Sequence, residues 1–137
     1  MGSDALIARG GTRGSIAVEL AIAVVVVVVL ALVSLPSYAE HVRRGSRAEM
    51  QAFLLEVGAR QQQRLAVRHD YAATIADLGL SLPRSLAGKY ALSLSVPAAA
   101  PPRFTVSAAP HGPQAADGCG TLSLSEAGQR APADCWR

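Results

Sequence analysis

The sequence predicts an α+β fold in which one long N-terminal helix packs against a small antiparallel sheet. Three observations support it: an apolar run of helix length near the start, an amphipathic helical pattern after it, and alternating strand patterns in the second half. The chain has 137 residues, of which 50% are hydrophobic and only 4% aromatic. Because the apolar run contains much of this hydrophobic content, the remainder can form only one small core, which excludes a multidomain enzyme.

The apolar run extends from Ile16 to Leu35, and only Glu19 and Ser34 among these 20 residues are not apolar. A helix of that length spans about 30 Å, the thickness of a bilayer core. The consecutive valines Val24–Val29 would favour a strand in water. In lipid a single strand leaves its backbone groups unsatisfied, so the run predicts a membrane helix.

Glu19 places a carboxylate inside this membrane segment. On insertion scales a carboxylate there costs about 2.5–3.5 kcal/mol, and such residues usually serve a function. A simpler alternative is that Glu19 lies near one end of the segment and reaches the lipid headgroups.

The segment of residues 1–14 is short, polar and glycine-rich, as in a leader. An ordinary secretory signal also stays open, because Ser37-Tyr38-Ala39 fits a small-x-small cleavage site.

The segment from Gly14 to Leu20 resembles the processing site of type IV prepilins: a glycine, a cut, and a glutamate as the fifth residue of the mature chain. Pro36 and Tyr38 match the proline and the aromatic residue that follow the membrane half of the pilin helix. One departure is Ser15, which stands where the family usually has phenylalanine. The resemblance implies a pilin-like fold, cleavage after Gly14 by the prepilin peptidase, and N-methylation at Ser15.

The later sequence is similar to minor pilins of the PilE type. The similarity rests on Ala48-Glu49-Met50-Gln51, on the glutamines 61–63 that lead to Tyr71, and on the C-terminal pattern from Cys119 to Trp136. The resemblance therefore divides the chain into four segments. These are a leader at 1–14, a transmembrane and polymerisation half-helix at 15–36, an amphipathic half-helix at 37–68, and a periplasmic globular head at 69–137.

Cutting after Gly14 would create an α-amine at Ser15, four residues before Glu19. An amine and a carboxylate that neutralise each other lower the cost of burying both. The family resemblance implies that Glu19 of an incoming subunit meets the amine of a neighbour already in the filament. The charge would then set the register of assembly, because a misplaced subunit leaves it unpaired.

The two cysteines bear on the compartment of the head. Basic residues flank the apolar run on both sides, so the positive-inside rule gives no clear orientation. Cys119 and Cys135 enclose 15 residues and have no further ligand at metal spacing. The C-terminal resemblance implies a disulfide between them, which would place the head in the periplasm. Two free thiols in a cytoplasmic domain are the alternative.

After the apolar run, Pro36 predicts a helix break or kink. Beyond it, apolar residues and one glutamine follow the spacing of a single helix face. These residues are Met50, Phe53, Leu54, Val57, Gln61 and Leu65. We expect one helix from about Ser15 to about Val67, with its first half in lipid or in the filament core and its second half under the sheet.

Alternating apolar and polar residues predict strands in the head at Tyr90–Val96, Phe104–Ala108 and Thr121–Ser125. Loops rich in proline or glycine separate them, at Pro97–Pro102 and His111–Gly118. The pattern predicts three or four antiparallel strands, with the C-terminal tail tied back by the cysteine pair.

No motif for catalysis occurs in the sequence: it lacks a glycine-rich phosphate loop, a His-Glu-x-x-His pattern and a paired-cysteine zinc spacing. We therefore predict a structural subunit that is not an enzyme and holds no cofactor or metal. The resemblance implies as partners other pilin subunits, the prepilin peptidase, the assembly platform with its ATPases, and inner-membrane lipid. It also implies a single-pass inner-membrane precursor with a periplasmic head, and then an extracellular pilus fibre.

The function implied is that of a minor pilin, which supports pilus biogenesis, twitching motility and adhesion. DNA uptake has weak support, because the basic cluster Arg43, Arg44 and Arg47 has no interleaved aromatic residues for stacking. That cluster could equally touch acidic lipid headgroups, form a solvated helix face, or make ion pairs between subunits of a filament. A type II secretion pseudopilin is one alternative. A secreted or membrane-anchored disulfide-bonded binding domain is another, from a different class.

Overall fold

The computed structural model describes the backbone of residues 2–136 and the side chains of residues 14–136. Nearly all of the predicted leader, residues 1–14, therefore lies outside the range of described side chains. The chain divides into two compact units, Met1–His41 and Val42–Arg137.

A single helix, α1 (Gly2–Arg68), contributes to both units. It starts earlier than the expected Ser15, and its end agrees with the expected Val67 to within one residue. The helix continues through Pro36, so it is not broken at that residue, and the kink that the proline predicts stays a prediction. Proline removes one backbone donor, and a helix can lose a single hydrogen bond while the turns on either side keep theirs.

In the second unit, the buried face of α1 is the one that the sequence predicts. Met50, Leu54 and Val57 are fully buried, and Phe53 is nearly so. They pack with residues of the sheet and its connecting loops in one core, to which the half-buried Leu65 adds. The helical periodicity therefore identifies the face correctly, because residues spaced by three and four positions share one side of a helix.

The head contains a four-stranded antiparallel sheet in the order β1-β2-β3-β4. Its strands are β1 (Tyr90–Ser95), β2 (Thr105–Pro110), β3 (Leu122–Ser125) and β4 (Arg130–Ala131). Three short 3-10 helices lie at Ala76–Leu78, Gly112–Gln114 and Ala133–Cys135. The predicted strands are confirmed, and the fourth strand pairs the C-terminal tail with β3.

Alternation decides which side chains of the sheet face the core. Val106, Ala108 and Leu122 are fully buried on the inner face, beneath the helix. On the outer face, β1, β2 and β3 present only serine, threonine and alanine, none of which is buried. The sheet is thus apolar on one side and small and uncharged on the other, as expected for an antiparallel sheet with one solvated face.

The C-terminal tail is held by the disulfide between Cys119 and Cys135, so the pairing implied by the family resemblance is present. The covalent ring encloses β3 and β4. In the chain-entropy model a closed loop of about 15 residues contributes about 3 kcal/mol. For a small head with a modest core, that is a substantial part of the free energy of unfolding.

Candidate functional site

The apolar half of α1 displays its side chains on every side. Within Ile16–Leu35 the large hydrophobic residues are all exposed, from 49% at Val26 to 71% at Val33. This helix is long and apolar enough to cross a membrane. Ser34 donates its hydroxyl hydrogen to the carbonyl of Leu30 one turn earlier, which satisfies that polar group within the helix itself.

Glu19 lies on this apolar surface, one turn after Ser15. Its side chain is exposed, and among the described residues it makes no hydrogen bond or ion pair. Residues four apart on a helix are neighbours on one face, so an amine at position 15 would lie near the carboxylate of the same subunit or of one packed beside it. A Cβ built at Gly14 would meet no described residue within 4 Å.

Several polar contacts among the described residues fasten the head to the first amphipathic turns of α1. Ser85 donates to Glu49, and four others involve Arg43, Ser46, Arg47 and Gln51 of the helix. Arg47 forms an ion pair with Asp117, with 2.6 Å between Nη1 and Oδ1. Gln51 donates to the carbonyl of Cys135 at 2.6 Å, Gln114 donates to the carbonyl of Arg43 at 2.8 Å, and Lys89 donates to Ser46 at 3.0 Å. We call these four contacts the head clamp. The clamp uses both ends of the disulfide loop, so the cysteine pair and the helix hold the same segment.

Arg47 is therefore engaged within the head, whereas the sequence groups it with Arg43 and Arg44 in one basic cluster. Its partner Asp117 has a side chain only 5% exposed, whereas that of Arg47 is 22% exposed. A carboxylate buried to this extent requires a compensating charge. Asp117 also accepts hydrogen bonds from Gln114 and from the backbone N–H of Cys119.

Tyr90 stands beside this ion pair, at the start of β1. Its hydroxyl accepts a hydrogen bond from Gln114 at 3.1 Å, and the residue is only 2% exposed. Burial raises the pKa of the Tyr90 hydroxyl above its ordinary value. The hydrogen bond from Gln114 and the charge of Arg47 oppose this change, and the charge of Asp117 adds to it.

A second anchor joins the end of α1 to the loop that follows it. The fully buried Gln61 donates to the carbonyl of Ala72 at 2.9 Å and accepts from the N–H of the same residue at 2.8 Å. The amide thus pairs with the loop backbone as a neighbouring strand would. The helical period predicts Gln61 on the apolar face. The contact with Ala72 could not be predicted from that period, because it depends on the path of the loop.

A cleft lies between the last turns of α1 and the 3-10 helix Ala76–Leu78. Its volume is about 520 Å³, and its walls include Arg60, Arg64 and Arg68 from α1. Asp77 and Leu78 form the opposite side. The spacing of the arginines at every fourth residue was visible in the sequence as a signal that they share one face. The opposite wall is formed by tertiary packing, so the local sequence does not reveal it.

Among the described residues no group of histidine, cysteine, aspartate or glutamate is arranged to hold a metal ion. His41, His69 and His111 are all exposed and lie in different parts of the chain. The described residues thus form packing surfaces, the head clamp and a basic cleft.

Two comparisons identify relatives of the chain. A family model described as "Type IV minor pilin ComP, DNA uptake sequence receptor" matches residues 36–123, which is more than half of the chain. The solved structure of a type IV pilin from Shewanella oneidensis is 31% identical in sequence and has a TM-score of 0.57. The similarity covers 69% of this chain and 98% of that one. A search of curated proteins gives no match.

The solved pilin and the present chain share the architecture of an N-terminal helix and a small antiparallel sheet, which confirms the predicted fold class. The family model confirms the predicted type IV pilin resemblance and its minor-pilin character. Proteins of this kind are structural subunits of a pilus. This chain belongs to the type IV pilin family, among the minor pilins whose family model is that of ComP.

Proposed function

We propose that the chain is a minor pilin whose precursor is cut after Gly14 and whose mature helix assembles into a pilus through its apolar half. The observation that supports this most is the position of Glu19. It is an acid with no partner among the described residues, on an otherwise apolar helix surface, one turn after Ser15. Such a residue is costly in lipid unless a cation meets it.

Assembly follows from the chemistry of that surface. The exposed apolar side chains of residues 16–35 suit lipid before assembly and other helices afterwards. Small and medium side chains allow close van der Waals packing between helices. The amine of Ser15 in one subunit pairs with Glu19 of the next, so that one axial register is favoured. Neighbouring pilins, the prepilin peptidase, and the assembly platform with its ATPases are the partners in this scheme.

The same scheme sets the location. The precursor crosses the inner membrane once, with the disulfide-bonded head in the periplasm, where cysteine pairs are oxidised. After cleavage the subunit joins the extracellular fibre. Twitching motility and adhesion are the functions proposed for the assembled pilus. The head contributes a stable folded surface held by its clamp and disulfide.

The first test determines the mature N-terminus and the role of the acid. Mass spectrometry of the purified mature chain should find Ser15 first, with or without a methyl group. A chain that begins at Glu40 would contradict the proposal and support a secreted domain released after Ala39. Fractionation distinguishes the type II secretion alternative. Sheared surface pili should contain the subunit. Absence of the subunit from those pili, together with a secretion defect in a strain that lacks it, would favour a pseudopilin.

The second test scores membrane insertion and filament incorporation separately. Glu19→Ala should insert at the wild-type level and be strongly depleted from sheared filaments. Ser34→Ala, which changes the other non-apolar residue of the run, is the matched control and should be incorporated normally. Normal incorporation of Glu19→Ala would remove the proposed register role.

A second candidate function is binding of DNA during its uptake. The family description names a DNA uptake sequence receptor. The observation on this chain that favours it is the set of three arginines on one face of α1, which line an open cleft. The test is binding of labelled duplex DNA by the purified full-length chain in detergent at 50 mM salt. Loss of all binding at that salt would contradict a DNA role, since phosphate contacts are strongest at low ionic strength.

A further inference from the structure

Three arginines at the end of α1 line a shaped cleft. Its volume of about 520 Å³ lies within the range of small-ligand sites. Arg60, Arg64 and Arg68 occupy successive turns, so their Cα atoms are about 6 Å apart along the helix axis. Of the described residues, three arginines and one acid, Asp77, belong to the lining itself, so the lining carries more positive than negative side chains.

The three arginines are engaged to different extents. Arg60 donates to the carbonyl of Leu78 at 3.1 Å and lies 3.5 Å from Glu56. This contact fixes the opposite wall to the helix, so Arg60 acts as a positioning residue. Gly79, which follows that wall, has a φ of 72° that suits glycine and brings the chain back past the arginine.

Arg64 and Arg68 keep donors for a ligand. Arg64 uses only its Nε, which lies 3.0 Å from Asp70, so both of its terminal nitrogens have no partner among the described residues. Arg68 makes no hydrogen bond or ion pair in the described part of the chain. Asp70 is 59% exposed, and ion pairs of such exposure are weak. A ligand anion can therefore bind without displacing a strong internal contact.

The donor type indicates the ligand. Guanidinium groups match phosphate oxygens with two parallel hydrogen bonds, and they remain charged at any physiological pH. Gln63 adds an amide to the lining, and amides also contact phosphates. None of the described residues that line the cleft is aromatic, so these residues offer nothing on which a base could stack. The lining thus favours the phosphate backbone over the bases.

We propose that this cleft binds two adjacent backbone phosphates of duplex DNA, one contacted by Arg64 and one by Arg68, with Arg60 as the positioning residue. The proposal rests on the DNA role put forward above and assigns a place to it. Arg43 and Arg44 lie near the start of the amphipathic half of α1 and are not part of this site.

The test measures DNA affinity of the full-length chain in detergent by fluorescence anisotropy between 50 and 200 mM salt. Arg64→Gln/Arg68→Gln should weaken binding about tenfold or more at 100 mM salt and reduce the slope of log affinity against log salt by about 1.8, since each phosphate contact contributes about 0.9. The matched control is Arg84→Gln/Arg103→Gln, which removes two exposed arginines outside the cleft. It should stay within about twofold of the wild type.

Arg68→Gln alone is a variant that we expect to fold normally, because this side chain makes no hydrogen bond or ion pair with the described residues. It should reduce the slope by about 0.9 with an unchanged unfolding midpoint. Equal losses in the cleft pair and the control pair would indicate diffuse charge and overturn the site. DNA binding that survives loss of both cleft arginines would overturn the site and leave the DNA role standing.

A titration with inorganic phosphate tests whether the cleft prefers the phosphates of DNA or the free phosphate ion. Phosphate should compete with DNA only at concentrations far above those of the DNA, because a single ion lacks the other contacts of the duplex. Binding of phosphate in the cleft by a chain that does not bind DNA would overturn both the DNA role and the assignment of backbone phosphates.

Discussion

Arg47 and Asp117 are 70 residues apart in sequence, and their side chains lie 2.6 Å apart in the head clamp. The pair joins α1 to the segment that enters the disulfide loop two residues later. Because the carboxylate is nearly buried, the pair is a condition for that loop to lie against the helix. The stability of the head is therefore concentrated around a few contacts, which the following predictions test.

Loss of the cation should destabilise the head. Arg47→Met leaves Asp117 buried without its partner, and we expect the free energy of unfolding to fall by about 2 kcal/mol. The value lies below that of fully buried pairs because the Arg47 side chain is 22% exposed. Unfolding in urea can be followed by fluorescence of Trp136, since the chain has one tryptophan. Arg84→Met, at an exposed position, is the control, and an equal effect of the two variants would refute the role of the pair.

Tyr90 should make stability depend on pH in the alkaline range. Burial raises its pKa above the ordinary 10.0, so the folded chain keeps the proton over a range in which the unfolded chain has lost it. The unfolded state then binds fewer protons, and the free energy of unfolding falls as the pH rises above about 10. Tyr90→Phe should flatten this fall, whereas Tyr38→Phe, at a residue 67% exposed, should not. Parallel curves for all three chains would exclude Tyr90 as the cause.

Two glycines of α1 should respond in opposite ways to alanine. A Cβ at Gly45 would meet nothing within 4 Å, so Gly45→Ala should stabilise the chain by about 0.5–1 kcal/mol through helix propensity. A Cβ at Gly58 would lie 2.9 Å from Leu124, whose side chain is in the core. There, overpacking outweighs propensity, and we expect a net loss of about 1 kcal/mol. Thermal unfolding of the two variants gives the comparison, and equal gains would show that Leu124 moves aside freely.

Removal of the disulfide should lower the stability of the head without changing its fold. Cys119→Ser/Cys135→Ser releases a loop of about 15 residues and should cost about 3 kcal/mol. The contact of Gln51 with the carbonyl of Cys135 does not need the sulfur and should persist. Urea unfolding with and without reductant measures the loss. A wild-type midpoint that does not change on reduction would show that the clamp alone holds the loop.

Periodicity made much of this architecture predictable. The face of α1 that contains Met50 and Val57, and the alternating strands, follow from local patterns of period 3.6 and 2. The register of Ser93 with Ser107 and of Ser107 with Ser123 then follows from which side is apolar. These features depend on residues that are close in sequence, so the pattern of a single sequence is enough to predict them.

Contacts between distant segments were not predictable in the same way. The sequence grouped Arg47 with Arg43 and Arg44, because nothing local indicates that Asp117 lies against it. Pro36 was expected to break the helix, since its effect was judged from the residue alone, and α1 continues through it. The processing site at Gly14 and the role of Glu19 rest on family resemblance and stay predictions until the mature chain is measured.

The covalent ring from Cys119 to Cys135 has a consequence for proteolysis of the head. The turn between β3 and β4, around Ala127 and Gly128, is exposed and open to proteases. A single cut there would leave both fragments joined through sulfur, with each strand still paired in the sheet. Digestion at that turn would thus give no separate fragments on a non-reducing gel, and the cut chain would keep both strands in the sheet.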